Sequence, residues 1–296
     1  MIYQSVNDVD FSLADLPSLP TPGRVLLTSP LYFAVEYVIN PHMEGNIGDV
    51  DLRSAISQWT DLGDIYRALG FDVHLQHGVS GLPDMVFCAN QTLPFLLPGD
   101  EKPGVILSSM HSSYRQPEVA SYELFFKKTG YDVVELPDKI RDFEGMGDAL
   151  WHPGRRLLYG GHGFRSSIEA YDFISSKLDV PVVTFELNDP DFYHLDTCLS
   201  LLNENTCLIF PGAFEPAGRE LIGSLFETVI EAPENESRGL FAVNAHCPDG
   251  HHVIIQDGCH QTNSLLAEAG FLPISTHTEE FLKSGGSVFC MKQMFW

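Results

Sequence analysis

Residues 51–75, which read DLRSAISQWTDLGDIYRALGFDVHL, predict a helix that is followed at once by a strand. Asp51 is a residue type that caps helices, and apolar side chains recur behind it at spacings of three and four residues. These apolar residues are Ala55, Ile56, Trp59, Leu62, Ile65, Tyr66 and Leu69. Gly70 ends the helix, and Phe71–Leu75 alternates as a half-buried strand does.

The same order of elements recurs along the chain. Arg24–Ser29, a short apolar run ended by Pro30, predicts the strand before this helix. Cycles of strand pair, helix and strand then follow at a spacing of about 45–60 residues, which is within the range of repeat architectures. The later predicted elements are strands 85–90, 104–108 and 131–136 with helix 114–128; strands 148–151, 155–159 and 180–187 with helix 166–178; strands 196–202, 207–210 and 226–230 with a helix near Arg219; and strands 240–244, 251–256 and 271–274 with helix 260–269.

Such a repeat predicts an α/β fold whose units form a closed, propeller-like ring around a central site. An ordinary α/β domain with a mixed sheet is the alternative. Residues 1–22 contain three prolines and little periodicity. We therefore expect an N-terminal arm over residues 1–22 and a single catalytic domain over residues 23–296.

The composition excludes several classes of partner. The formal net charge is −23, which argues against binding to nucleic acid or to an anionic membrane. The sequence has no run of 18 apolar residues and no N-terminal signal pattern, so we predict a cytoplasmic protein whose six cysteines are reduced. This negative charge suits a small cationic ligand. The sequence leaves the oligomeric state open, with a homo-oligomer as one alternative.

A candidate nucleophile lies near the C-terminus, in the stretch Gly285–Cys290. Two glycines lead into an alternating run that carries the cysteine, and glycines let the backbone approach a ligand closely. The Cys290 thiol is thus a candidate attacking group. The alternative is ordinary packing, because free cysteine is among the most buried residue types.

A candidate acid/base group lies in Phe192–Thr197. If Asp196 opens a strand, His194 and Asp196 project from the same face, which puts an imidazole beside a carboxylate. The alternative is a histidine that is satisfied by loop backbone.

Two further stretches carry carboxylates next to predicted strands. Glu144 and Asp148 flank a Gly-Met-Gly turn, and Asp84 and Asn90 bracket predicted strand 85–90. The alternatives are a solvated acidic turn and ordinary turn chemistry. Asp84, Glu144, Asp148 and Asp196 together predict a strongly negative pocket. Carboxylates bind a planar guanidinium through two parallel hydrogen bonds.

A cluster of metal-ligand residue types gives a weaker alternative. Its members are His246, Cys247, His251, His252, Cys259 and His260. Their spacing fits no standard zinc pattern, so we predict no metal and no cofactor.

The chain resembles the guanidino-group-modifying superfamily, which includes arginine deiminases, dimethylarginine dimethylaminohydrolases, amidinotransferases and arginine dihydrolases. The resemblance covers almost the whole chain from about Arg24 and is closest to the arginine dihydrolase type. The motifs that carry it are Tyr37–Pro41, Met43–Ile47, Pro83–Phe87, Phe143–Gly145, Gly147–Leu150, Gly163–Ser166, Phe192–Cys198, Pro211–Phe214 and Glu280–Lys283.

The resemblance implies the pentein fold, five ββαβ-like units around a pseudo-fivefold axis. It implies Cys290 as nucleophile, His194 as general acid and base, and Glu144 as the group that orients or charges this histidine. It also implies that Asp196 grips the guanidinium and that Arg165 binds the substrate carboxylate.

The resemblance also bears on substrate and product. Asn40 falls where the dihydrolase type has a substrate-contacting asparagine. At position 90 deiminases have an aspartate and dihydrolases an asparagine, so Asn90 favours removal of both guanidino nitrogens. Ser109 stands where the family has a carboxylate-binding arginine, Arg115 matches a different position, and Ser284 replaces a small alanine.

The predicted activity is therefore arginine dihydrolysis through a covalent amidino-thioether on Cys290. The alternatives are hydrolysis of a methylated arginine or another guanidine, arginine deimination, amidino transfer to an amine, and a catalytically silent binding protein on the same fold.

Overall fold

The computed structural model describes residues 1–99 and 103–296, and these residues form an α/β protein. The α/β class predicted from the repeating pattern is confirmed. The strands of the described residues are β1 (Ile2–Tyr3), β2 (Arg24–Thr28), β3 (Asp72–Gln76), β4 (Thr92–Phe95), β5 (Gly104–Leu107), β6 (Asp132–Val134), β7 (Ala149–Trp151), β8 (Leu158–His162), β9 (Val182–Glu186), β10 (Leu199–Leu201), β11 (Thr206–Ile209), β12 (Thr228–Glu231), β13 (His252–Gln256), β14 (Leu272–Thr276) and β15 (Gln293–Phe295).

The α-helices connect these strands. They are α1 (Leu52–Ala68), α2 (Val119–Lys128), α3 (Gly145–Asp148), α4 (Ile168–Leu178), α5 (Pro216–Leu225), α6 (Glu234–Leu240), α7 (His260–Glu268) and α8 (Glu279–Leu282). Among the described residues, no helix is both long enough and apolar enough to cross a bilayer.

The chain divides into two compact units. The first unit contains residues 1–21 and 147–275, and the second contains residues 22–146 and 276–296. Most of the predicted N-terminal arm therefore clusters with the first unit, where Ile2 of β1 pairs in parallel with Val182 of β9. The prediction of one catalytic domain over residues 23–296 stays a prediction.

The sheets of the first unit repeat one connection. Strands β7 and β8 pair antiparallel, α4 follows, and β9 returns parallel to β8. Strands β10, β11 and β12 repeat this order around α5. Strand β14 lies beside β13 after α7. Helical crossovers are what parallel neighbours require, since a short hairpin cannot join them.

The second unit uses the same connection twice. Strand β2 pairs antiparallel with β15 and parallel with β3 across α1, and β5 pairs antiparallel with β4 and parallel with β6 across α2. A buried core packs between these elements. Its members are Leu26, Met85, Cys88, Val105, Tyr122, Phe126, Tyr131 and Phe295.

The stretch that opened the fold prediction forms as expected. The Asp51 carboxylate accepts hydrogen bonds from the backbone N–H groups of Arg53 and Ser54, at 2.9 and 3.0 Å, and so caps α1. Gly70 ends the turn after the helix at φ +91°, a left-handed conformation that suits glycine. Strand β3 follows at once.

Two predicted strands are wrong. Residues 85–90 lie in a 3-10 helix (Pro83–Val86) and the turn after it, since Pro83 starts a tight helical turn; the strand begins at Thr92. Residues 240–244 lie at the end of α6 and in the turn after it, where Phe241 has φ +52°. Apolar residues at both places are buried without pairing into a sheet. A short apolar run in the sequence does not distinguish a buried turn from a buried strand.

A buried histidine in the first unit predicts acid sensitivity. The His152 ring lies 5.9 Å from the ring centroids of Tyr159 and Phe226, and within the described chain neither ring nitrogen has a hydrogen-bond partner. Burial, assisted by Arg155, lowers the pKa of His152 from 6.5 to about 4. Between these values the unfolded chain binds a proton that the folded chain does not, so stability falls as the pH is lowered through this window.

We expect acidification from pH 7 to pH 5 to cost wild type about 2 kcal/mol more unfolding free energy than it costs His152→Phe. Urea unfolding at both pH values measures this difference. His260→Gln, a change at an exposed histidine, serves as the control and should keep the wild-type pH dependence. Equal pH slopes for His152→Phe and wild type would contradict the assignment.

Candidate active site

Cys290 is buried in the second unit, in the turn before β15. Within Gly285–Cys290 the backbone turns at Gly285, which has φ +85°. A Cβ on Gly286 would lie 2.5 Å from the Phe87 ring and 3.1 Å from the Cys290 Cβ, so close packing requires the glycine. The Ala89 N–H donates to the Cys290 carbonyl oxygen at 3.2 Å.

Glu144 is fully buried in the same unit. Its Oε1 accepts a hydrogen bond from the His111 N–H at 3.1 Å. The Met146 N–H donates to the Ala89 carbonyl oxygen at 2.8 Å. Ala89 is therefore hydrogen-bonded to the backbone of Cys290 and to the backbone of Met146, two residues after Glu144.

Asp84 and Asn40 meet at Ser284, also in the second unit. Asp84 accepts hydrogen bonds from the Tyr37 hydroxyl at 2.7 Å and from the Ser284 hydroxyl at 2.9 Å. Asn40 donates to the Ser284 carbonyl oxygen at 3.1 Å and accepts from the His42 N–H at 3.0 Å. Burial and the Asp84 carboxylate raise the pKa of Tyr37, so this phenol remains a hydrogen-bond donor.

Asn90 belongs to a buried ionic network in this unit. The Arg115 Nη1 donates to the Asn90 Oδ1 at 3.0 Å, and the Arg115 Nη2 donates to Glu118 at 3.0 Å. The same Nη2 donates to the carbonyl oxygens of Asp84 and Phe87, at 3.1 and 3.2 Å. Burial acts to lower the pKa of Arg115, but the Glu118 and Asp84 carboxylates outweigh it and raise that pKa, so the guanidinium stays charged.

Ser109 makes a hydrogen bond to backbone at the position where the family has a carboxylate-binding arginine. The Ser109 hydroxyl donates to the Arg141 carbonyl oxygen, and Ser109 pairs with Phe143 in an antiparallel bridge. Ser109, His111 and Arg141 line an open groove of about 730 Å³ in the second unit.

His194 and Asp196 are buried in the first unit. Asp196 does not open a strand, which was the condition for the predicted pairing of these side chains, because a 3-10 helix covers Leu195–Thr197 and β10 begins only at Leu199. The Thr197 hydroxyl donates to the His194 carbonyl oxygen at 2.6 Å, and the Asn244 side chain donates to the Asp196 carbonyl oxygen at 2.9 Å. These bonds fix the backbone that carries both side chains.

Asp148 and Arg165 flank this turn. The Asp148 carboxylate accepts hydrogen bonds from the Leu195 N–H at 3.0 Å and from the Ser166 hydroxyl at 2.6 Å. It therefore links the turn that carries His194 to the segment that contains Arg165 and Ser166. The Arg165 guanidinium lies 4.9 Å from the ring centroid of Tyr193, within cation–π range.

The remaining cysteines have the character of packed thiols. All six cysteines lie in the described ranges and none forms a disulfide. Burial raises the pKa of Cys88, Cys247 and Cys259 to about 12, which keeps them protonated and poorly nucleophilic. In the described part of the chain, no three His, Cys, Asp or Glu side chains are grouped so that they could hold a metal ion.

A family model described as N,N dimethylarginine dimethylhydrolase, eukaryotic, matches residues 42–295. The chain belongs to the dimethylarginine dimethylaminohydrolase family. Membership of the guanidino-group-modifying superfamily, predicted from the sequence motifs, is thereby confirmed.

Two relatives of this dimethylarginine dimethylaminohydrolase family member are equally similar in sequence. N(G),N(G)-dimethylarginine dimethylaminohydrolase of Mycobacterium tuberculosis is 36% identical over 271 residues, which cover 92% of this chain and 85% of the relative. The bifunctional arginine dihydrolase/ornithine cyclodeaminase ArgZ of Synechocystis is 36% identical over 273 residues, which cover 90% of this chain. The chain spans only 37% of the length of ArgZ.

Solved structures agree with these relationships. The crystal structure of the N-terminal domain of ArgZ, in a mutant form bound to substrate, has a TM-score of 0.84 and 36% identity, and the match covers 92% of this chain and 97% of that domain. Further structures of the same domain contain the product or a covalently bonded reaction intermediate.

Sequence reasoning missed three partners of the candidate residues in this family member. Tyr37 donates to Asp84, Arg115 donates to Asn90, and Glu118 accepts from Arg115, and the sequence patterns predicted none of these contacts. Tyr37 and Asp84 both lie in motifs that carry the family resemblance, so the sequence did indicate that the two residues belong to one site. Glu118 had none, because buried acidic residues read like exposed ones in a helix N-terminal turn.

Proposed function

We propose that this chain is a cysteine-dependent hydrolase of guanidino C–N bonds, and specifically an arginine dihydrolase. The overall reaction consumes L-arginine and two water molecules and gives ornithine, carbon dioxide and two ammonia molecules. No cofactor enters this balance. The relationship to ArgZ, whose printed activity includes arginine dihydrolysis, supports the proposal.

The observation that carries the dihydrolase assignment is an amide at position 90. Asn90 follows Ala89, which is hydrogen-bonded to Cys290, and it is 2% exposed. A carboxylate here would add a second negative group for a guanidinium. An amide instead adds a hydrogen-bond donor. This suits the ureido product of the first hydrolysis, because the oxygen on its carbon accepts a hydrogen bond.

In the first hydrolysis the Cys290 thiolate attacks the guanidino carbon, and His194 donates a proton to the departing ammonia. This leaves an amidino-thioether cation. His194 then takes a proton from water, the hydroxide adds to the carbon, and the C–S bond breaks to return the thiolate and give the ureido product. Glu144 supports the protonated histidine.

In the second hydrolysis the thiolate attacks the ureido carbon, and the second ammonia leaves with a proton donated by His194, so that a thiocarbamate remains on Cys290. Water releases a carbamic acid, which separates into carbon dioxide and the amine of ornithine. We assign the grip on the guanidino group to Asp196 and Asp84, and the contact with the amino-acid end to Arg165 and Asn40.

Asp148 supports the histidine turn in this proposal, through its bond to the Leu195 N–H. The finer fold assignment, five ββαβ units around a pseudo-fivefold axis in one domain over residues 23–296, also belongs to the proposal. The repeated order of strand pair, helix and strand supports it. A cytoplasmic location and a homo-oligomer are part of the same proposal, and reduced cysteines suit the former.

The test is a mass balance with L-arginine labelled with ¹³C at the guanidino carbon. We expect labelled carbon dioxide, one ornithine and two ammonia for each arginine consumed, with little citrulline. Citrulline and one ammonia as the only products would make the chain a deiminase. No product at all would exclude arginine as the substrate.

Hydrolysis of methylated arginine is a second candidate. Ser109 makes a backbone contact where the family resemblance led us to expect a carboxylate-binding arginine. The Mycobacterium tuberculosis relative, which this chain covers to 85%, is named for dimethylarginine. Release of dimethylamine from N(G),N(G)-dimethylarginine with a kcat/KM above that for arginine would favour this candidate.

A further inference from the structure

Arg115 holds the side chain of Asn90 in one orientation. Arg115 is 4% exposed, and its Nη1 lies 3.0 Å from the Asn90 Oδ1. A guanidinium can only donate hydrogen bonds, and the amide oxygen is the only acceptor on an asparagine side chain. The oxygen of Asn90 must therefore face Arg115, and the amide NH₂ must face away from it.

The amide NH₂ of Asn90 is unused within the chain. The Nδ2 atom is buried, and in the described residues it has no hydrogen-bond partner. Buried donors are rarely left unpaired, so this unused one indicates a position for a ligand acceptor. The neighbouring Ala89 is hydrogen-bonded to the Cys290 backbone, which places this donor on the segment that adjoins the proposed nucleophile.

Arg115 is itself held from several sides. Its Nε and Nη2 donate to the Glu118 Oε2 at 3.1 and 3.0 Å. Gln91 donates to the same oxygen at 2.6 Å. Arg115 also donates to the carbonyl oxygens of Asp84 and Phe87, and together these bonds hold its guanidinium in one position. A network with this many partners resists rotation of the Asn90 amide.

We propose that Arg115 is a positioning residue that presents the Asn90 NH₂ as a donor to the oxygen of the ureido intermediate, and so promotes the second hydrolysis. This inference rests on the proposed dihydrolase function. The guanidino carbon of arginine carries nitrogens whose N–H groups donate, so an NH₂ gains no bond there. After the first hydrolysis the same carbon carries an oxygen that accepts one.

The test measures the ratio of ornithine to citrulline formed from L-arginine. Arg115→Lys keeps the positive charge, but one ammonium cannot reproduce the planar fork that serves Glu118 and Asn90 together. We expect this ratio to fall about tenfold, as for the loss of one hydrogen bond to the reacting group, with a smaller effect on arginine consumption. Asn90→Asp, which removes the donor, should lower the ratio in the same way.

The double variant separates positioning from a general structural role. If Arg115 acts through Asn90, Arg115→Lys changes the ratio in the wild-type background and not in Asn90→Asp. Arg156→Lys is the matched control, since Arg156 is also 4% exposed and donates to the Leu178 carbonyl oxygen; it should leave the ratio unchanged. If Arg115→Lys does not fold, Glu118→Gln loosens the same cation and should lower the ratio a few-fold, in the range of a weakened hydrogen bond.

The outcomes distinguish the two proposals. Wild type that forms no ornithine would overturn the dihydrolase function, and this inference with it. Wild type that forms ornithine, with an unchanged ratio in Arg115→Lys or in Glu118→Gln, would overturn the inference alone. Equal effects of Arg115→Lys in both backgrounds would show that Arg115 does not act through Asn90.

Discussion

Cys290→Ser is expected to lower ammonia release from L-arginine by at least about 10³-fold, because a serine hydroxyl at neutral pH is a much weaker nucleophile than a thiolate. Binding should survive, since the guanidino grip is assigned to Asp84 and Asp196. Thermal unfolding with and without arginine measures this retained binding, because a ligand that binds only the folded state raises its stability.

Cys88→Ser is the matched control for this change. Cys88 is fully buried in the second unit, and its Sγ lies 3.2 and 3.0 Å from the carbonyl oxygens of Leu26 and Met291, which share its single S–H as acceptors. A serine hydroxyl can donate its one hydrogen to the same carbonyl oxygens, and turnover should stay within a few-fold of wild type. Normal turnover by Cys290→Ser would remove Cys290 as nucleophile. A binding protein without catalysis would show no ammonia in either variant.

Gly145→Ala should have the largest effect on stability. Gly145 has φ +51°, and an added Cβ would lie 2.5, 2.7 and 2.9 Å from the carbonyl oxygens of Thr92, Asn90 and Ala89. Backbone atoms cannot rotate away, so the turn that carries Glu144 must move. We expect a loss of about 3 kcal/mol in unfolding free energy from left-handed strain and the clash together, with loss of most activity.

Gly130→Ala isolates the strain from the clash. Gly130 has φ +89°, and nothing lies within 4 Å of an added Cβ. Its cost should be about 1 kcal/mol, with activity unchanged. Denaturant unfolding and ammonia release measure both variants. Equal unfolding free energies for Gly145→Ala and Gly130→Ala would show that the carbonyl oxygens around Gly145 yield easily.

The hydrogen bonding of Asn90 depends both on its residue type and on the residues that surround it in the fold. An asparagine in place of an aspartate is visible in the sequence, and it indicates a change of reaction outcome. Which atom of the amide is available is decided by Arg115, 25 residues away along the chain. Only the folded chain brings this cation, its Glu118 partner and the amide together.

The α/β class, the helices with a clear 3.6-residue pattern and the family could all be predicted from the amino-acid sequence. Helix α1 formed as expected because its cap, its apolar stripe and its terminal glycine all act within one stretch of chain. The motifs around His194 and Glu144 indicated guanidino chemistry through their resemblance to the guanidino-group-modifying superfamily, which also implied Cys290 as the nucleophile.

Tertiary structure decided what local patterns could not. Residues 85–90 are as apolar as a strand, yet Pro83 and burial on all sides make them a 3-10 helix and a turn. The 3-10 helix after His194 and the turn at Cys290 follow from close packing, including the contact of Gly286 with the Phe87 ring. Side chains far apart in sequence set these backbones, and their contacts have no periodic signature in the sequence.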